Sequence, residues 1–372
     1  MSATNNTIKG LVEDQSRLFV ELVLRYYGFP DLNTAVRMGT DARALSPIII
    51  EDYRNLSELN KADITKAYLS SNGVAYFIVQ NPDISSAYSH PLFAIVSQLE
   101  KTVPVAFPLP HPLEGHPDSV ARFGPSDGTV KIYDLPGKGG PAGYREQAET
   151  NEVFDMHHDG LGSGGTVQTV VLYMDSPPLF GGFTYFQNIP LLALRLAATD
   201  IEAFRSLFLP DAIVIIRPRG KGAIKVTTPV LFINDANRPQ SFFRVASGEY
   251  VVQWRDHAPL KRARDFFKSY VPPFSPGSSF VHFTARGHGC IIDNQLIVHA
   301  RTSFLDDEVH GISRLLSRKW YMRDARDSVY KHVPGMFINQ QFAAEYASIC
   351  DPKILEGEWR YDQDSDRNVR VL

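Results

Sequence analysis

Cysteine is scarce in this sequence. Of 372 residues only Cys290 and Cys350 are cysteines, too few for a disulfide framework and more in keeping with a reducing compartment. No apolar run approaches the ~20 residues that a membrane-spanning helix needs. The opening Met1-Ser2-Ala3-Thr4-Asn5-Asn6 lacks the basic start and apolar centre of a secretory signal. Charge of one sign is also lacking. A formal net charge of −3 and a pI near 6.4 give no bias toward nucleic acid or an anionic membrane. Internal repeats and low-complexity tails are missing too. Together these absences predict a soluble, cytoplasmic protein with neither nucleic acid nor membrane as a partner; they leave its oligomeric state open.

Two local patterns lack what their chemistry would require. Pro136-Gly137-Lys138-Gly139-Gly140 has neither the spacing nor the Ser/Thr of a phosphate-cradling loop, so it reads as a flexible loop. Arg217-Pro218-Arg219-Gly220-Lys221-Gly222 is basic but has no interleaved aromatics, and reads as a solvated hairpin tip.

What is present is an ordinary core composition, 44% hydrophobic and 21% charged, with 25 Pro and 26 Gly for loops. Leu11, Leu18, Phe19, Leu22, Val23 and Tyr26 share one side of a 3.6-residue repeat, predicting a helix near 7–27 that ends at Gly28 and Pro30. A second helix is expected near 60–71, and a third starts at Pro91 with Leu92, Phe93, Val96 and Leu99. Between them Val74–Val79 reads as a buried strand. Five prolines in 104–118 predict an irregular surface connection. A strand over 128–134 follows.

From residue 150 short strands dominate: 151–158, 166–174, 183–186, 212–217, 223–233, 241–245, 249–254, 279–285, 290–299 and 312–323. Helices near 190–207 and 259–270 interrupt them. Many short strands bounded by Gly and Pro predict a mainly β fold with flanking helices, a sandwich or barrel in place of a parallel α/β sheet. One domain is expected: a helix-rich 1–120, a β core over 125–325 and an extension over 326–372.

Chemistry concentrates in Phe154-Asp155-Met156-His157-His158-Asp159-Gly160 and, far downstream, Asp293-Asn294-Gln295-Leu296-Ile297-Val298-His299-Ala300-Arg301-Thr302. On a strand His157 and Asp159 share a face and His158 takes the other. With a second imidazole from the apolar strand ending at His299, they form two histidines and one carboxylate. That is the facial triad of non-haem Fe(II) sites, which leaves the opposite metal positions open. His282, His288 and His310 compete for the role, but none ends so apolar a strand. Arg314 and Arg318 share a face of the next strand, and inward arginines call for an anion such as a carboxylate. Gly181-Gly182 permits a tight bend that would bring the Thr184 hydroxyl to the same carboxylate. Each piece alone has a blander reading: a solvated loop, a core histidine, an exposed edge strand, an ordinary hairpin.

In sum, His157-x-Asp159, Gly181-Gly182-Phe183-Thr184, Asp293-Asn294…His299-Ala300-Arg301-Thr302-x-Phe304 and Arg314-x3-Arg318 resemble the Fe(II)/2-oxoglutarate-dependent oxygenases of the taurine dioxygenase and clavaminate synthase-like branch. The likeness spans roughly residues 150–323. It implies a double-stranded β-helix, or jelly roll, with Fe(II) bound by His157, Asp159 and His299. Arg314 would salt-bridge the distal carboxylate of 2-oxoglutarate and Thr184 would hydrogen-bond it, while Arg318 would support that grip or meet the substrate's acid group. The implied reaction uses O2, converts 2-oxoglutarate to succinate and CO2, and hydroxylates an unactivated C–H bond of an amino acid or natural-product intermediate. An acidic ligand at 159 favours hydroxylation or desaturation over halogenation. Asp155, Gln147, Gln168 and Arg244 are candidate substrate contacts, and 104–118 and 234–248 are candidate lids. A zinc hydrolase on the same ligands, or a jelly-roll binding protein with incidental histidines, remain the competing readings.

Overall fold

The computed structural model describes residues 2–37, 41–82, 90–109, 129–134, 148, 150–160, 167–209, 211–219, 222–233, 237–245, 251–322, 358–362 and 367–371. The strands of its two principal sheets are β1 (Arg43–Ala44), β2 (Ile48–Ile50), β3 (Val74–Val79), β4 (Phe107–Leu109), β5 (Val130–Ile132), β6 (Phe154–His157), β7 (Thr169–Ser176), β8 (Thr184–Asn188), β9 (Ser279–Val281), β10 (His288–Asp293), β11 (Ile297–Arg301) and β12 (Leu315–Met322). The helices are α1 (Ser2–Tyr27), α2 (Leu32–Arg37), α3 (Glu58–Tyr68), α4 (Pro91–Ser97), α5 (Ile189–Thr199), α6 (Ile201–Ser206) and α7 (Ala258–Lys268).

The larger sheet runs β2-β3-β10-β7-β12-β4, with β5 also on β12; the smaller runs β1-β9-β8-β11-β6. All neighbours are antiparallel except β1–β9 and β2–β3. Strand alternation divides the core. Val74 and Tyr76 of β3 and Val170, Leu172 and Met174 of β7 pack with Phe186, Val281 and Ile297 of the smaller sheet. The residues between them (Ala75, Phe77, Val171, Tyr173) pack on Ile64 and Tyr68 of α3 and Leu92, Ile95 and Val96 of α4. Outside the smaller sheet, Tyr185, Val298 and Ala300 meet Phe19, Leu22 and Val23 of α1 and residues of α5, α6 and α7. The layers are therefore helix, sheet, sheet, helix. Each fully buried Val, Leu, Ile or Phe contributes roughly 1.5–3 kcal/mol, so the paired faces fix strand register.

Local chemistry sets the helix ends. Ser57 caps α3 by accepting from the Asn60 amide, His90 caps α4 ahead of Pro91, and Asn188 caps α5 ahead of Pro190. The expected 190–207 helix is two helices, because the Asp200 side chain accepts from the Ala203 amide and starts α6. Leu18 of the expected α1 stripe turns to solvent.

Several expected strands also differ. The proline-dense 104–118 contains β4, which tolerates Pro108 because it lies on a sheet edge; residues 110–118 lie outside the described residues, as does the 136–140 loop. The 223–233 run splits at Pro229 into Gly222–Thr228 and Leu231–Ile233, and 290–299 splits at the Asn294 turn into β10 and β11. The expected 241–245 strand is displaced to Pro239–Ser241, paired with Leu231–Ile233, and 279–285 shrinks to β9. The helical front also contributes β1 to β4. Ile213–Arg219 pairs with Gly222–Thr228 and Val251–Trp254 in a separate antiparallel sheet, and Glu358–Asp362 pairs with Arg367–Val371.

Candidate metal centre

The backbone ladder itself brings two imidazoles together. β11 and β6 pair antiparallel with His299 opposite His157, and the ring centroids are 4.5 Å apart. Because Val298 and Ala300 face the helices, His299 faces the space between the sheets. Strand β6 ends at His157, so Asp159 belongs to the turn that follows. Gly160 at φ 74° makes that turn; a Cβ there would stand 2.4 Å from the Val167 side chain. The turn returns the Asp159 carboxylate to the histidines: Oδ1 lies 3.5 Å from His157 Nε2 and Oδ2 3.9 Å from His299 Nε2. One donor atom from each of the three residues lies within 4.8 Å of the others, and all three side chains are buried.

Their protonation suits a divalent cation. Burial lowers the His157 pKa and, with the nearby His157 ring, lowers that of His299 to about 3, so both rings are neutral at pH 7. Burial alone would raise Asp159, but the Arg318 guanidinium and then the two histidines hold it well below the usual carboxylate range. The Asp155 carbonyl lies 2.7 Å from His157 Nδ1 and accepts its proton, which aims the Nε2 lone pair at the centre. That buried Nε2 has no hydrogen-bond partner, and neither has Nδ1 of His299. Phe154 stacks on His157 at 4.1 Å. Neutral imidazoles with one carboxylate fit an Fe(II) ion.

The two arginines part company: Arg318 lies on β12 and Arg314 just ahead of it. Arg318 Nη1 donates to both Asp159 oxygens at 3.0 and 3.1 Å, and Trp320 Nε1 donates to Oδ2 at 2.9 Å. Arg318 therefore meets the acidic member of the triad. Arg314 is 1% exposed, and its Nε and Nη1 make no hydrogen bond. Its guanidinium carbon lies 5.0 Å from the Phe304 ring centroid, and that of Arg301 lies 4.7 Å from the same centroid. Burial, then the Arg301 charge, pushes the Arg314 pKa well down. A buried cation left without a counter-charge costs several kcal/mol. Asp306, which accepts from the Arg314 amide at 2.9 Å, offsets only part of that cost, and a buried cation so incompletely compensated favours an anion in this pocket. The Gly181-Gly182 bend (φ 80° and 73°) lies alongside, a Gly182 Cβ falling 3.7 Å from Arg314 Nε. Thr184 is buried opposite Arg301 on β8.

Of the candidate substrate contacts, Arg244 is buried, bridges His157 through its backbone and lies 5.9 Å over Phe154. Asp155 is half-buried, and burial raises its pKa. Gln168 acts through its backbone, donating to Tyr321 O and accepting from Asn294 N. Gln147 lies outside the described residues. The competing histidines are elsewhere: His288 bonds Tyr76, His282 stacks on Phe183, and His310 is exposed beside Asp307.

The sequence motif includes Asn294 and Phe304 without giving either a role, and it passes over Trp320. Asn294 Oδ1 accepts from the Asp159 amide at 2.9 Å, while its Nδ2 donates to the carbonyls of Asp159 and Val167. The signal for Trp320 was its alternation with Arg318 on one strand face.

No family model matches the chain, and no curated protein does. Solved structures do. The non-heme iron oxygenase OrfP in complex with Fe, succinate and (3S)-hydroxy-L-Arg aligns at TM-score 0.51 and 16% identity, covering 84% of this chain and 91% of that one. OrfP with Fe and alpha-ketoglutaric acid aligns at 0.50 and 16%, with the same 84% and 91% coverage. An asparagine oxygenase aligns at 0.49 and 15%, covering 83% and 92%. The chain shares the fold of OrfP.

Proposed function

We propose that this chain is an Fe(II)/2-oxoglutarate-dependent dioxygenase that hydroxylates an unactivated C–H bond of a small molecule. The observation that carries the reading is the buried His157/Asp159/His299 cluster in a fold that also buries Arg314 without a hydrogen-bond partner for Nε or Nη1. His157, Asp159 and His299 hold the iron, and Arg314 with Thr184 takes the distal carboxylate of 2-oxoglutarate. Arg318, with Trp320, orients Asp159. When bound, the iron supplies the oxidising chemistry with O2 as 2-oxoglutarate becomes succinate and CO2. The chain's own part is to keep two imidazoles neutral, one carboxylate ionised and the site closed to bulk water.

An amino acid is the favoured substrate class. Asp155 and Arg244 flank the Phe154–His157 stack with opposite charges, which suits a zwitterion, and the related OrfP structure holds (3S)-hydroxy-L-Arg. We read the two packed sheets as a double-stranded β-helix within one domain, with its core over 125–325. A cytoplasmic location is part of the proposal; among the described residues no helix is long and apolar enough to cross a membrane.

The test is conversion of 2-oxoglutarate to succinate by purified protein with Fe(II) and ascorbate, followed by a mass-spectrometric screen of amino acids for gain of one oxygen atom. Iron-dependent succinate is expected. A zinc hydrolase on the same ligands would form none, and that result would sink the proposal.

A further inference from the structure

His158 stands between two ligands and points away from both. It is 1% exposed, and its ring meets the segment 239–245, which runs behind the metal loop. His158 Nδ1 lies 3.0 Å from the Phe243 amide, which donates to it, and 3.3 Å from the Phe243 carbonyl, while Nε2 lies 3.3 Å from Ser241 Oγ. Backbone bonds reinforce the seam: His158 N donates to Phe243 O, and Val245 N to Met156 O.

The same segment holds the other ligand strand. Ser241 donates from its amide and its hydroxyl to Gln295 O, at 3.0 and 3.3 Å. Gln295 belongs to the turn that leads into β11 and His299. Its neighbour Asn294 in turn holds the Asp159 backbone at both its amide and its carbonyl. The contacts close a ring: Asp159, Asn294, Gln295, Ser241, His158 and back to Asp159 through the chain. Two ligand-bearing segments far apart in sequence are thus tied at a fixed separation.

We infer that His158 is a positioning residue that sets the distance between Asp159 and His299 through Ser241 and the Asn294-Gln295 turn. The inference rests on the metal reading above. Outer hydrogen-bond partners of metal ligands typically govern affinity by 10–100-fold; Asn294 ties Asp159 to the turn directly, and His158 adds a second tie through Ser241.

The test uses Co(II) as the probe, titrated optically into the full-length, metal-stripped protein alongside its melting temperature. His158→Phe keeps ring volume but removes both hydrogen bonds; Co(II) binding is expected to weaken about tenfold or more with a changed visible spectrum. His158→Asn keeps an acceptor for the Phe243 amide and is expected to recover most of the affinity and the original spectrum. If His158→Phe fails to fold, Ser241→Ala opens the ring elsewhere and should also weaken Co(II) binding, by several-fold. Wild-type Co(II) affinity and spectrum in a folded His158→Phe, or in Ser241→Ala if that variant carries the test, would assign the ring to stability alone and overturn the inference. Absence of Co(II) binding by the unsubstituted protein would instead overturn the metal reading itself.

Discussion

Arg314, just ahead of β12, and Arg318, four residues on within it, are both buried, yet they live in different electrostatic circumstances. Arg318 shares its Nη1 protons with both oxygens of Asp159, although its Nε has no partner. Arg314 has Phe304, a second cation, Arg301, and the Asp306 carboxylate for neighbours; Asp306 accepts from its amide, and two of its guanidinium nitrogens make no hydrogen bond. On the proposed function, one guanidinium belongs to the protein's own charge balance and the other, which Asp306 offsets only in part, to a ligand's. A buried charge that a protein pairs internally stabilises its site; one left unpaired is tolerated where a bound anion repays the desolvation.

Removing the anion from the first pair should give the largest effect. Asp159→Ala takes away a metal ligand and leaves Arg318 buried without its carboxylate, a loss of about 3–5 kcal/mol by analogy with broken buried pairs. Loss of Fe(II)-dependent turnover and a lower melting temperature of the metal-free protein are both expected. An unchanged melting temperature would mean that Arg318 does not depend on Asp159.

Arg314→Ala should separate the two arginines by substrate. Losing a charge-assisted grip on a carboxylate is expected to cost about 2–5 kcal/mol, or roughly 30-fold or more in the 2-oxoglutarate requirement. The requirement for primary substrate should move far less. Equal shifts in both would count against the assigned role.

Arg318→Lys should do the converse. A single ammonium cannot reproduce the guanidinium contact, so metal affinity is expected to fall about 10-fold, while the KM for 2-oxoglutarate at saturating iron stays near wild type. A large rise in that KM would return Arg318 to the co-substrate site.

The smallest effect concerns a second buried carboxylate. Asp293 lies 3.6 Å from Arg238, and burial raises its pKa to about 6, the reverse of Asp159. Its folded pKa exceeds the unfolded value near 4, so the folded state holds the extra proton and stability falls as pH rises between about 4 and 6. Asp293→Asn should flatten that slope and raise stability above pH 6 by on the order of 1–2 kcal/mol. Urea melts at pH 4 and pH 7 check it, and an unaltered slope refutes it.

The sequence made much of the site readable because metal-ligand types are few and strand alternation is strict. His157, Asp159 and His299 could be picked out, and so could the inward face shared by Arg314 and Arg318. Their division of labour could not. Both arginines occupy one face by period, but β12 starts only at Leu315 and shifts register there, so Arg314 lies off the strand against Phe304 while Arg318 meets Asp159. Asn294 reads locally as a turn residue, and only the fold brings it to the Asp159 amide. Pro108 was misjudged for a similar reason: whether a proline fits a strand depends on which edge that strand occupies.

The account's central claim is tested most directly by the structure of the protein with Mn(II) in place of iron and 2-oxoglutarate, prepared without oxygen. One ion bonded to His157 Nε2, an Asp159 oxygen and His299 Nε2, with the distal carboxylate of 2-oxoglutarate on the Arg314 guanidinium, is the predicted result. An ion bound without His299, or a 2-oxoglutarate carboxylate on Arg318 with Arg314 untouched, would contradict it.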